Sequence, residues 1–439
     1  MTRGKPVAPT TTTTAEGSLV STLMWQLLHE FIYLYKKISP LRFVVCMSKK
    51  ELTVINVTTR GHILFASPSI WMFAHTLVCG FLLVSKLLNK SSHYVTTHGE
   101  RDTIEKLELF VNIYFLLFPL CIVGTSVTMA FYPSVAANIL NRIVEFEEKF
   151  EGKFFNRNST RKTGFPINDA MSCFKLFSGG LWNKIPKKRS QPWMWYLLKL
   201  LLWGSVLLVV LVGPGIVFLN LDPLNTLLQC NSRIWNFILQ LIRILLVYSL
   251  ATEMLKSAFA FIIVGLIVMQ SVSQGAILLR EILKFKTSSS PMVVLCSAEI
   301  QLYRELQVWI QYVNAAFCYR SVPPLLFCGV SMTIVAIYGT IRMYVWLPIL
   351  VYPLLPATTV LGVSFLITLL PQAAEGYEKS IEFVDFTRRK CTVKYEKKVA
   401  KSLRPNGARC GPFGMISNKW TTRVADSMAD STVTLLLTF

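Results

Sequence analysis

The chain is poor in the residues and motifs that usually carry chemistry. Only five histidines and 24 acidic residues are spread over 439 positions. No HExxH, GxSxG or Walker loop occurs, which removes the commonest metalloprotease, hydrolase and phosphate-binding readings. His62 and His75 share one apolar run but stand thirteen apart, and no ligand pair is expected from them. The ten cysteines form no CxxC pair and no metal-ligand spacing. Neither metal, cofactor nor enzymatic activity is therefore expected. A structural disulfide is not expected either, because Cys230 alone falls in a clearly outer loop. No short apolar core with a small-residue cleavage site opens the chain, so a signal peptide is not expected. Charge is also scarce, at 16% of residues, and one sign dominates, with a net +21.

What the chain has instead is apolar runs. Over half of it, 53%, is hydrophobic, and several stretches meet the roughly 20 residues a membrane span needs. In a soluble protein such basicity would point to nucleic acid. Here the cations stand beside apolar runs, so a lipid bilayer is expected as partner and nucleic acid is not.

The pattern predicts an all-α polytopic membrane protein with seven transmembrane helices, a cytoplasmic N-terminus and cytoplasmic helix extensions. Residues 1–61 read as a cytoplasmic tail. Its first 18 residues are Thr-rich and polar, and a short amphipathic helix over about 19–35 would lie at the inner membrane surface. Residues 62–439 form the membrane domain, with spans at about 63–85, 107–131, 193–219, 240–266, 322–341, 345–370 and 420–439. After the second span, Ile139, Ile143, Phe146 and Phe150 recur at helical spacing, predicting an amphipathic helix. Around the fourth span one helix of about 50 residues fits, part of it outside the membrane. With the N-terminus inside, the inner segments hold 36 of the 45 Lys and Arg but 16 of the 24 acidic residues. The excess is cationic, as positive-inside sorting requires. Asn89 begins an Asn-Lys-Ser sequon in the first outer loop and is a glycosylation candidate, whereas the sequons at Asn56 and Asn158 fall inside.

Four groups of residues are candidates for function. Glu253 and Lys256 lie within the fourth span, where a charge marks either a functional site or a self-shielding i,i+3 pair. Arg243 is expected to snorkel toward the outer surface. Tyr114, Tyr248, Tyr338 and Trp346 are outer-half aromatics that could line a ligand pocket or simply pack. In the last span Ser427, Ser431, Thr434 and Thr438 fall within about 60° of arc at 100° per residue. Such a stripe either lines a water-filled path or bonds back to its own helix. Asp426 and Asp430 stand near its inner end. Gly213-Pro214-Gly215 is expected to bend the third span, Pro323-Pro324 to open the fifth, and Pro353 with Pro356 to kink the sixth.

The C-terminal STVTLLLTF resembles the TYhhhhhQF signature of the insect chemoreceptor superfamily, the gustatory and odorant receptors. Ser431 stands for the Thr, Thr432 for the Tyr and Thr438 for the Gln, and Phe439 is kept. ILNRIVEFEEKF after the second span and LYRELQVW before the fifth are similar too. The resemblance is to a divergent arthropod receptor of gustatory type. It implies a plasma-membrane, ligand-gated, non-selective cation channel for a small molecule, assembled as a homo- or hetero-tetramer. Ser427, Ser431, Thr434, Leu435 and Thr438 would then line the pore. Two other readings compete. A G-protein-coupled receptor would need its N-terminus outside, and neither a DRY-like triplet nor NPxxY is found. A transporter would more often show an internal repeat.

Overall fold

A computed structural model describes residues 19–47, 50–90, 99–154, 192–226, 233–289, 297–345, 347–349 and 351–438. The Thr-rich tail, the sequon at Asn158, Cys230, Trp346 and Phe439 lie outside them. The described chain is mostly helical. The helices are α1 (Thr22–Ile38), α2 (Thr59–Lys90), α3 (Gly99–Phe131), α4 (Pro133–Phe154), α5 (Pro192–Phe218), α6 (Arg233–Ser289), α7 (Ser297–Val313), α8 (Tyr319–Arg342), α9 (Leu354–Lys390), α10 (Lys394–Ser402) and α11 (Asn418–Thr438). Among the described residues six stretches are long and apolar enough to cross a membrane: Arg60–Ser85, Leu109–Phe131, Trp193–Asn225, Ile234–Phe285, Ser297–Arg342 and Leu354–Lys390. Helix α11 is not among them, because Arg423, Asp426, Asp430 and its hydroxyl residues dilute its apolar character.

Helix α6 is the axis. Its 57 residues make it about 85 Å long, so it far outruns a bilayer core of about 30 Å. It packs against α1, α2, α3, α5 and α9, and beyond Leu250 most of its side chains are buried. Its far half is gathered by α4, α7 and α9 into a distal bundle. The periodic Ile139, Ile143, Phe146 and Phe150 of α4 are all buried there.

Helix α1 turns its apolar face to the protein itself. Trp25, Leu28, Phe31 and Tyr35 are buried, and the helix packs against α5 and α6. Glu147 of α4 accepts the Leu19 and Val20 backbone N–H groups at 2.6 and 3.2 Å, ahead of its first turn. A two-stranded antiparallel hairpin follows, β1 (Phe43–Cys46) on β2 (Glu51–Val54), with Phe43 opposite Val54. It was not expected from the sequence. Asn141 of α4 pairs with both the N–H and the C=O of Leu52 at 2.9 Å, which satisfies part of an otherwise open strand edge.

Helix α5 continues through Pro214 to Phe218. Two other proline expectations are revised. Pro323 and Pro324 do not open a helix, because α7 and α8 are joined by a π-helical turn, Asn314–Cys318, and both prolines lie inside α8. Pro324 cannot donate to the Arg320 carbonyl, and that oxygen lies against α3, where a Cβ on Gly124 would stand 2.5 Å from it. Pro353 and Pro356 do not kink the sixth span. Pro353 is the N-cap of α9 and Pro356 falls in its first turn, where a missing donor is harmless.

Candidate functional site

Two features could carry function: a cavity among the membrane helices and the exposed face of α11. The cavity has a volume of about 290 Å³ and lies between α3, α5, α6 and α9. Tyr114, Phe118, Ser205, Met254, Phe259 and Thr358 are in its wall. The wall is almost wholly apolar. Its few polar groups are already engaged: the Tyr114 hydroxyl bonds Thr358 Oγ1, and Ser205 Oγ donates to the Leu202 carbonyl at 2.8 Å. Such a site suits a small, largely apolar molecule oriented by one or two hydroxyls.

The three described aromatic candidates do not all line the cavity. Tyr114 lines the cavity. Tyr248 and Tyr338 are not in its wall and are partly buried against two different apolar clusters, and Trp346 lies outside the described residues. Phe118, Met254, Phe259 and Thr358 were not singled out from sequence, since nothing local distinguishes them from packing residues.

Helix α11 packs one side on α8 and α9. Thr432, in the signature's Tyr place, is its only buried residue among those described. Ser427, Ser431, Thr434 and Thr438 are exposed, and Leu435 is half-buried beside them. Asp426 and Asp430 are exposed as well. Thr434 Oγ1 donates to the Asp430 carbonyl at 2.8 Å, and Thr438 Oγ1 to the Thr434 carbonyl at 2.7 Å. Back-bonding therefore occupies these protons but leaves the oxygen lone pairs facing outward. The helix runs alongside α8. Phe413, just before it, meets Phe327 with ring centroids 5.0 Å apart, and near its end the Leu436 carbonyl accepts from Arg342 at 2.8 Å.

The segment feeding α11 is stitched to the distal bundle. Tyr303 bonds Ser380 Oγ at 2.6 Å and donates to the Arg404 carbonyl at 2.9 Å. Asn314, in the π turn, donates to the Gly407 carbonyl at 2.9 Å and accepts from Arg409 N–H at 3.0 Å. Cys410 is buried in this segment, and burial pushes its thiol up to about 11, so it stays protonated near neutrality.

Two pairs of charges within the bundle compensate each other. Glu253 Oε1 accepts from Ser69 of α2 at 2.9 Å and Ser126 of α3 at 2.8 Å, and its other oxygen pairs with Lys256. Lys256 also donates to Ser39 Oγ and the Pro40 carbonyl at 3.3 Å each. The pair thus ties α2, α3 and α6 to the chain after α1. Arg243 does not snorkel. It donates from Nε to Asp222 at 3.0 Å, with a second contact from its terminal nitrogen, and reaches Asn220 at 3.2 Å. Asn220 presents this turn from a left-handed conformation, φ 55°. Asn89 falls at the end of α2, and its side chain lies outside the described residues.

No family model matches the chain, and no curated protein matches it. Solved structures do resemble it. The insect olfactory receptor OR5 from Machilis hrabei in complex with eugenol superposes with a TM-score of 0.57 at 12% identity, covering 95% of this chain and 99% of that one. A second structure of the same receptor gives 0.50 at 11% identity, covering 94% and 98%. At such identities the likeness is one of fold, and it extends over essentially the whole length of both chains.

Proposed function

We propose that this chain, built on the fold of an insect olfactory receptor, is a chemoreceptor of gustatory type. It acts as a ligand-gated, non-selective cation channel in the plasma membrane. The full-length likeness in fold supports kinship with the insect chemoreceptor superfamily, as does the C-terminal STVTLLLTF.

The observation that carries the channel reading is the exposure of α11. Its 21 residues span about 31 Å, close to the thickness of a bilayer core. It runs beside α8, itself in a candidate span. Two carboxylates and four hydroxyls on its open faces are ill suited to lipid. They need water or protein, and a central path shared by several copies supplies both. We assign Ser427, Ser431, Thr434, Leu435 and Thr438 to the lining of that path, with Asp426 and Asp430 favouring cations near one end. The assembly is a homo- or hetero-tetramer, and α11 is its seventh span. The N-terminus is cytoplasmic, consistent with the basic segments. The 290 Å³ cavity is the ligand site, for a small apolar molecule.

Thr434→Trp tests the pore. Whole-cell current, basal and during perfusion with a panel of small apolar molecules, should fall at least tenfold with surface expression unchanged. Normal current from surface-expressed Thr434→Trp takes the stripe out of the pore.

A further inference from the structure

Arg42 is a buried cation without a carboxylate. It is only 5% exposed, and among the described residues no acid pairs with it. Glu253, the one acid in the small space that Arg42 and Lys256 share, is already taken by Lys256, Ser69 and Ser126. Arg42 meets instead His62, in the first turns of α2, with its two terminal nitrogens 3.0 and 3.3 Å from the two ring nitrogens. A neutral imidazole has one bare nitrogen, so at most one of these contacts is a hydrogen bond. Arg42 Nε has no partner. The Phe65 ring, 5.6 Å from the guanidinium carbon, adds only a weak cation–π contact. A buried guanidinium held this way is costly unless an anion joins it.

The surroundings indicate which anion. His62 is exposed, so it can swing aside where a buried residue could not. At the start of α2 the Gly61 and His62 N–H groups are taken by Thr58, but the helix dipole and the earlier N–H groups still favour phosphate. Exposed cations precede and follow Arg42 in the chain: Lys36 and Lys37 in the last turn of α1, and Arg60 in the first turn of α2. One residue beyond His62, α2 begins an apolar stripe, with Ile63, Leu64, Ile70, Phe73 and Leu77 all more than half exposed. A phosphate at Arg42 would therefore stand where acyl chains can run along α2.

We propose that Arg42 binds the phosphate of an anionic phospholipid where α2 enters the membrane, with His62 as the side chain displaced. A planar guanidinium fork matches two phosphate oxygens better than a point charge does. The inference rests on α2 crossing a bilayer and is independent of conduction, so it stands or falls separately from the channel reading.

The test is native mass spectrometry of the full-length protein from nanodiscs of phosphatidylcholine with and without phosphatidylserine. The wild type should retain phosphatidylserine in preference to phosphatidylcholine. Arg42→Gln should weaken that retention about tenfold, the equivalent of about 1.4 kcal/mol. Arg42→Lys should fall between, and His62→Ala should retain lipid at least as well as the wild type. Monodisperse Arg42→Gln that binds phosphatidylserine like the wild type overturns the proposal. Should Arg42→Gln not fold, equal retention by Arg42→Lys and wild type does the same. Displacement of the retained lipid by inorganic phosphate would assign the site to a free oxyanion and overturn the lipid as occupant.

Discussion

Arg243 and Asp222 form a pair whose side chains are only 4% and 0% exposed. Their attraction offsets a large desolvation cost, and the pair fixes the turn at 219–222 against α6. Removing one member leaves the other charged and buried, which costs about 3–5 kcal/mol. Arg243→Ala should therefore lower the melting midpoint in detergent sharply, whereas Arg243→Leu with Asp222→Leu should recover much of it. If Arg243→Ala melts like the wild type, the pair is solvated in solution. Ala251 lines the cavity, and Ala251→Phe would fill part of its volume. Ligand-evoked current should fall while surface expression and basal current persist. Equal responses to every active compound would place the ligand elsewhere.

Among elements, α3 and α8 meet through bare backbone. A Cβ at Gly124 would stand 2.5 Å from the Arg320 oxygen and 2.8 Å from Ser321 Cα, and backbone cannot give way as a flexible side chain does. Gly124→Val should push these helices apart and destabilise the protein by about 1–3 kcal/mol from overpacking alone. Thermal unfolding checks this, and an unchanged midpoint would mean the contact is looser than described. The same region shows what could be read in advance and what could not. Helix α4 was legible because Ile139, Ile143 and Phe146 repeat with the helical period. The single long α6 was legible because no Gly-Pro break interrupts its apolar character. The span boundaries near prolines were less so. Whether Pro324 opens a helix or sits inside one depends on the π turn before it and on Gly124 of another helix, and neither is local information. The hairpin at 43–54 was missed for a like reason, since its edge is completed by Asn141, 89 positions from Leu52.

At the scale of the whole molecule, the proposed function divides between a cavity in the membrane helices and a helix anchored in the distal bundle. Apart from Tyr114, the cavity was hidden in the sequence because its wall draws ordinary apolar residues from four helices, from Tyr114 to Leu361. The α11 stripe was visible because it needs only one helix and a fixed 100° step. Helices α6 and α9 reach both regions, and Tyr303, Ser380 and Asn314 bind the chain before α11 to that bundle. A shift of these helices at the cavity would thus be felt at the base of α11. Losing the Tyr303 hydroxyl in Tyr303→Phe should weaken the coupling. The concentration of active compound giving half-maximal current should shift at least threefold, and an unchanged response would leave the distal bundle a passive scaffold.

If the exposed stripe of α11 lines a water-filled conduction path, a charged, membrane-impermeant thiol reagent must reach position 434, and whole-cell current through Thr434→Cys recorded before and after the reagent reads this. Current should be lost lastingly in Thr434→Cys and unchanged in the wild type. Current that persists although mass spectrometry shows the introduced thiol modified would contradict it.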